Sequence, residues 1–103
     1  MAKLNSGLES LRTFHDIAAT QDNWVEYEFK NSAGVKAYAQ RVRVWNEEAA
    51  KGGDSILWSW DGVNVGGRLE AGEKWEADKT YENSIYIKNS VAGSPSKARV
   101  WAL

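Results

Sequence analysis

The amino-acid sequence predicts an all-β fold: a single antiparallel β-sandwich, jelly-roll-like, carrying an N-terminal arm. Two observations predict the sandwich. Apolar residues alternate with polar ones in short runs, and glycine-rich turn signals separate those runs at short spacing. Both are clearest over residues 55–103, which contain SILWSWDGVNVGG, RLEAGEKWEA, ENSIYIKNS and SKARVWAL. A third observation predicts the arm. Residues 1–22 hold none of the chain's six tryptophans and many small polar side chains. The expected division is an arm over 1–22 and a sandwich domain over 23–103.

The arm admits two readings. Ser6 followed by Glu9 forms a capping box, which places Leu8, Leu11, Phe14 and Ala18 on one face of a short helix. The same segment reads as an extended strand with Leu11, Thr13, His15 and Ile17 on one side. In either form its apolar residues need another surface, because a short isolated helix or strand is marginal in water.

From Trp24 the pattern has period two. WVEYEF turns Val25, Tyr27 and Phe29 to an apolar face and Trp24, Glu26 and Glu28 away from it. The Asn31–Gly34 stretch signals a turn. Residues 35–45 are the longest strand candidate; Val42 and Val44 face inward there while Arg41 and Arg43 mark a wet face. Residues 46–54 read as a loop or one helical turn ending at Gly52-Gly53. Ile56, Trp58 and Trp60 then share a face, Asp61-Gly62 is a hairpin-turn dipeptide, and Gly66-Gly67 reads as a tight turn or bulge. A strand from Leu69, a turn at Ala71-Gly72 and a strand through Trp75 follow. Ile85 and Ile87 point inward in the next strand. A turn over residues 93–96 leads to a final strand in which Ala98, Val100 and Ala102 oppose Arg99, Trp101 and Leu103. Seven or eight strands result, enough for two packed sheets.

A chain of 103 residues is one domain. At this size roughly 65% of the unfolded surface is buried, so a core forms without metal or disulfide. The chain has no cysteine, which excludes disulfides and thiolate metal sites. The net charge is −1, with acidic and basic residues interspersed. No basic excess is present to neutralise phosphates, so no specific nucleic-acid partner is expected. The first residues lack an apolar stretch of signal-peptide type, and no run reaches the ~18 apolar residues of a membrane span. The expectation is a chain made in a cytoplasm and used there or in an assembled particle, with no membrane partner.

Chemistry-bearing residues are sparse. His15 is the sole histidine, so a histidine-based triad or metal site lacks partners, and a polar arm residue is the simpler reading. Carboxylates recur at Glu26, Glu28, Glu47, Glu48, Glu70, Glu73, Glu76 and Asp78, but a solvated strand face has the same appearance as a catalytic pair. Asp54, Asp61 and Asn64 lack calcium-loop spacing, and turn chemistry explains Asp61. GVNVGG lacks the lysine and helix of a phosphate loop. Catalytic, cofactor and metal residues are therefore expected to be none, and the protein is expected not to be an enzyme. Exposed tryptophans can stack on sugar rings, yet Trp58 and Trp60 share a face with Ile56, with Trp75 and Trp101 as candidate neighbours; this favours core or subunit interface.

Trp60-Asp61-Gly62-Val63, the run from Gly67 through Leu69-Glu70-Ala71-Gly72-Glu73, then Asn83-Ser84-Ile85-Tyr86-Ile87-Lys88 and the closing Arg99-Val100-Trp101-Ala102-Leu103 carry a resemblance. Together they resemble small β-sandwich structural proteins of tailed phages, of the capsid decoration, cement or head–tail type. The resemblance covers about half the chain, residues 55–103, and its elements are turns and strands. It implies a virion structural protein on the capsid surface, made in the host cytoplasm. The implied partner is the major capsid protein, bound by a homo-oligomer, with a trimer favoured. The expected contact residues are Leu4, Leu8, Leu11 and Phe14 in the arm, with Trp101 and Leu103 at the other end of the chain. The alternatives are a carbohydrate-binding β-sandwich module or a tail or connector subunit.

Overall fold

Alternation of apolar and polar side chains builds eight strands in the computed structural model, which describes residues 13–31, 33–48 and 54–103. They are β1 (Thr13–Ile17), β2 (Val25–Glu28), β3 (Ala39–Asn46), β4 (Ile56–Ser59), β5 (Gly67–Leu69), β6 (Lys74–Glu82), β7 (Ser84–Asn89) and β8 (Ala98–Ala102). Leu4, Leu8, Leu11 and the Gly52-Gly53 break lie outside the described residues.

The strands form two antiparallel sheets of four, ordered β1-β8-β3-β6 and β2-β7-β4-β5. The chain changes sheet at every connection except β4 to β5. This is the jelly-roll order, an antiparallel sandwich as the alternation predicts. Among the described residues there is no helix.

Each sheet buries the face that the period-two pattern assigns. Phe29, Val42, Val44, Ile56, Ile85 and Val100 are fully buried between the sheets, with Ile17, Leu69 and Ile87 beside them. Arg41 and Arg43 face water, and Arg99 and Trp101 lie opposite Val100 in orientation. Buried polar groups are paired. The Asn46 amide donates to the Asp54 and Leu69 carbonyls at 2.9 and 3.1 Å, which ties β3 to the start of β4 and the end of β5. Thr20 donates to Asn89, whose own amide donates to Asp22 at 2.7 Å, so the segment after β1 is latched to β7.

Three expectations need revision. First, β1 takes residues from the segment assigned to the arm. Thr13–Ile17 is a strand paired with β8, with Ile17 buried, so the extended reading holds over this stretch and the helical one does not. Second, the longest strand is β6, with nine residues, whereas the sequence reading followed it only through Trp75. Beyond that point β6 carries exposed Glu76, Asp78, Lys79 and Tyr81 on an outermost strand, and so shows no apolar alternation. Its backbone is irregular there: Lys79 and Tyr81 adopt φ of 56° and 51°, and the β3–β6 register shifts between Ala39 and Arg41. Third, the reading of Gly66-Gly67 as a tight turn or bulge left out a packing role that the structure adds. A Cβ on either would fall within 2.3 or 2.6 Å of the Trp58 indole.

Candidate interaction face

The outward face of the β1-β8-β3-β6 sheet is a lattice of aromatic and charged side chains set by strand register. One cross-sheet row runs Phe14, Trp101, Arg43, Glu76, and the next runs Asp16, Arg99, Trp45, Lys74. Leu103 extends the lattice beyond the first row: its backbone N–H donates to the Arg41 carbonyl at 2.9 Å, and Arg41 in turn opposes Asp78.

Aromatic and cationic groups alternate across this lattice. The Phe14 and Trp101 centroids are 5.7 Å apart, and Trp101 lies 6.4 Å from Trp45 with ring planes 12° apart. The Arg99 guanidinium lies 5.8 Å from both indoles and 5.2 Å from the Phe14 ring. Arg43 lies 5.7 Å from Trp101, and the Lys74 ammonium 4.7 Å from Trp45. Such contacts hold side chains in place through the ring quadrupole. Acidic groups complete the pattern: Arg99 bridges Asp16 at 3.0 Å and Glu47 at 3.1 Å, and Glu76 takes Arg41 and Arg43 at 3.3 and 3.2 Å. The exposed pairs among them add little stability; all of them orient the face. A cleft of about 400 Å³ opens at one end of it, lined by Asp16, Trp45, Glu47, Lys97 and Arg99.

Three of the sequence-expected contact residues meet here. Phe14 and Leu103 are 49% and 45% exposed, and Trp101 is half-buried between them and Arg43. Sequence reasoning missed Trp45, Arg43, Arg99 and Lys74 as members of one site. The parity of Arg43, Trp45 and Arg99 was legible in RVRVW and ARVW, but the register that makes Trp45 and Arg99 cross-strand partners is a property of the folded sheet.

The remaining tryptophans divide as core logic predicts, with one correction. Trp58 is buried and stacks on Trp75 at 4.0 Å across the two sheets, with Trp60 edge-on at 5.2 Å. Trp101 is not part of that cluster, because its neighbour Val100 takes the inward position. His15 is half-buried, donates from Nε2 to the Glu28 carbonyl at 2.8 Å and lies edge-on to Tyr27.

The carboxylates are engaged in local structure. Glu26 accepts from Lys36 at 3.0 Å, and this hydrogen bond, followed by one from Ser84, holds its carboxyl below the usual range. Asp61 accepts from the Asn64 and Val63 backbone N–H groups, both at 2.8 Å, and from the Asn64 amide and Ser59 hydroxyl at 2.9 Å. That cage, led by the Asn64 backbone N–H, holds its carboxyl far below the ordinary value. Among the described residues no group of three or more His, Cys, Asp or Glu side chains is placed to hold a metal ion.

No family model matches the chain, and no curated protein matches it. Among solved structures it is similar to a de novo designed double-stranded β-helix (TM-score 0.51, 15% identity, covering 89% of this chain and 97% of that one). It is also similar to hydroxypropylphosphonic acid epoxidase from S. wedmorenis in complex with fosfomycin (TM-score 0.52, 14% identity, covering 91% of this chain). The match spans 44% of the epoxidase chain. At these identities the likeness is one of fold alone, and it agrees with the jelly-roll order of the strands.

Proposed function

We propose that the protein is a non-enzymatic virion structural protein: a capsid decoration or cement protein that binds the assembled shell and stabilises it. The observation that carries this reading is the convergence of Phe14, Trp101 and Leu103 on one exposed sheet face, interleaved with Arg43 and Arg99. Aromatic and arginine side chains held in fixed geometry are the usual anchors of protein interfaces. Here they lie on a rigid sheet, so little side-chain freedom is lost on docking. A protein that binds only the assembled shell stabilises it by mass action. In this reading the partner is the major capsid protein, the bound form is a homo-oligomer, a trimer favoured, and the place of action is the capsid surface.

The test is co-sedimentation with undecorated shells, alongside light-scattering mass of the free protein. Stoichiometric occupancy that is lost in a Phe14→Ser, Leu103→Ser double variant is the expected result. Failure of the intact protein to bind shells overturns the decoration role, and ring-shaped oligomers in that case favour a tail or connector subunit.

A further inference from the structure

We infer that the cleft beside Trp45 is a binding site for a neutral, β-1,4-linked hexose oligomer. The inference goes beyond the assembly role and does not rest on it.

Size and placement come first. The cleft holds about 400 Å³, within the range of about 300–1,000 Å³ over which small-molecule sites occur. Its charges then limit the ligand. Asp16 and Glu47 oppose Lys97 and Arg99, so the lining is balanced between two carboxylates and two cations. An anionic ligand meets both carboxylates, and a cationic one meets Arg99 and Lys97. A saccharide hydroxyl both donates and accepts, so it pairs with either kind of group without bringing a charge. Arg99 is clamped by Asp16 at 3.0 Å and Glu47 at 3.1 Å, which presents its guanidinium in a fixed orientation.

The aromatic geometry supplies the second half of the argument. Trp45 lines the cleft, and Trp101 continues from it at 6.4 Å with its plane only 12° away. The stacked Trp101 holds the Trp45 indole in a fixed plane, so the cleft offers a sugar ring one flat aromatic surface of set orientation. A β-1,4-linked hexose chain joined through equatorial glycosidic bonds presents flat C–H faces along a ribbon and matches that surface. Phe14, tilted 55° against Trp101, bounds the row at its far end. Lys74 lies over the Trp45 ring at 4.7 Å, and its exposed, flexible side chain is the group that a bound sugar displaces.

The experiment is a tryptophan-fluorescence and calorimetric titration of the full chain with cellohexaose, mannohexaose and chitohexaose. Saturable binding of at least one is expected. Trp45→Ala weakens it by about tenfold or more, the scale of one lost aromatic stacking contact, and Glu47→Gln weakens it as well. Val63→Ser and Val91→Ser, exposed positions on neither row of the face, retain binding. Absence of binding to all three oligomers overturns the inference, as does an unchanged affinity in a folded Trp45→Ala protein. If Trp45→Ala does not fold, Trp45→Phe and Lys97→Ala take its place: weakened binding in either supports the site, and unchanged binding in both overturns it. Shell binding without sugar binding removes this inference and leaves the assembly role standing.

Discussion

A Cβ on Gly66 would lie 2.3 Å from Cζ3 of Trp58, closer than real side-chain atoms approach. The same glycine donates its backbone N–H to the Trp58 carbonyl at 2.8 Å, so neither partner is free to slide away. Trp58 in turn is stacked on Trp75. Gly66→Ala is therefore expected to cost about 1–3 kcal/mol, the scale of overpacking in a filled core. Urea unfolding read by tryptophan emission checks this, with a lowered midpoint at unchanged slope as the expected outcome.

Asn46 is fully buried and binds three backbone groups: the Asp54 and Leu69 carbonyls as donor, and the Glu48 N–H as acceptor at 3.1 Å. Asn46→Ala leaves these groups without a side-chain partner. A loss of at least about 2 kcal/mol is expected, since each unsatisfied buried group costs about 1–3 kcal/mol. Asn46→Asp gives no rescue at neutral pH, because a carboxylate cannot donate to the two carbonyls.

Asp61 ties stability to acidity. Its folded pKa is depressed, chiefly by the Asn64 backbone N–H, from an ordinary 3.8. A depressed carboxylate pKa stabilises the fold above the unfolded value, and that contribution is lost as pH falls through the window below it. Asp61→Asn is expected to melt lower than the parent at neutral pH. The gap should close progressively as the pH drops below 3.8. Thermal melts across that window provide the check, and a gap that is independent of pH refutes the assignment.

The exposed apolar residues of the sheet face behave differently. Phe14 and Leu103 are about half exposed. Phe14→Ser and Leu103→Ser, each tested alone, are expected to change stability by no more than about 0.5–1 kcal/mol, in line with surface positions. Under the proposed decoration role they are nevertheless expected to weaken binding to shells. Equal loss of stability and binding would indicate instead that these residues only support the fold.

A core residue gives the contrast. Ile85 is fully buried on β7, beside Tyr27 of β2 in the register. Ile85→Ala is expected to cost about 2–5 kcal/mol through lost burial and the cavity left behind. Calorimetric unfolding measures it directly.

How far the fold was legible depended on which face of each strand is wet. In β7 and β8, one side is buried and the other is not, so Ile85, Ile87 and Val100 stood out from their polar neighbours. In β6 the outermost position leaves most side chains exposed, and the alternation fades after Trp75. Gly66-Gly67 looked like turn chemistry because sequence shows that a side chain is missing but not what occupies its place. The interaction face was half legible for a related reason. Phe14, Trp101 and Leu103 were expected as contacts, each from its own segment. That they meet, and that Trp45 and Arg99 join them, follows from strand pairings far apart in sequence.

Those pairings bear on when the face can exist. The sheet order β1-β8-β3-β6 sets β8, the last of the eight strands to leave the ribosome, between β1, the first, and β3. Until β8 is inserted, Phe14 on β1 and Trp45 on β3 have no common sheet to belong to. Non-local closure of this kind is slow compared with hairpin formation. In a nascent chain the row of Phe14, Trp101 and Arg43 and the row of Asp16, Arg99 and Trp45 are therefore unformed until β8 is in place.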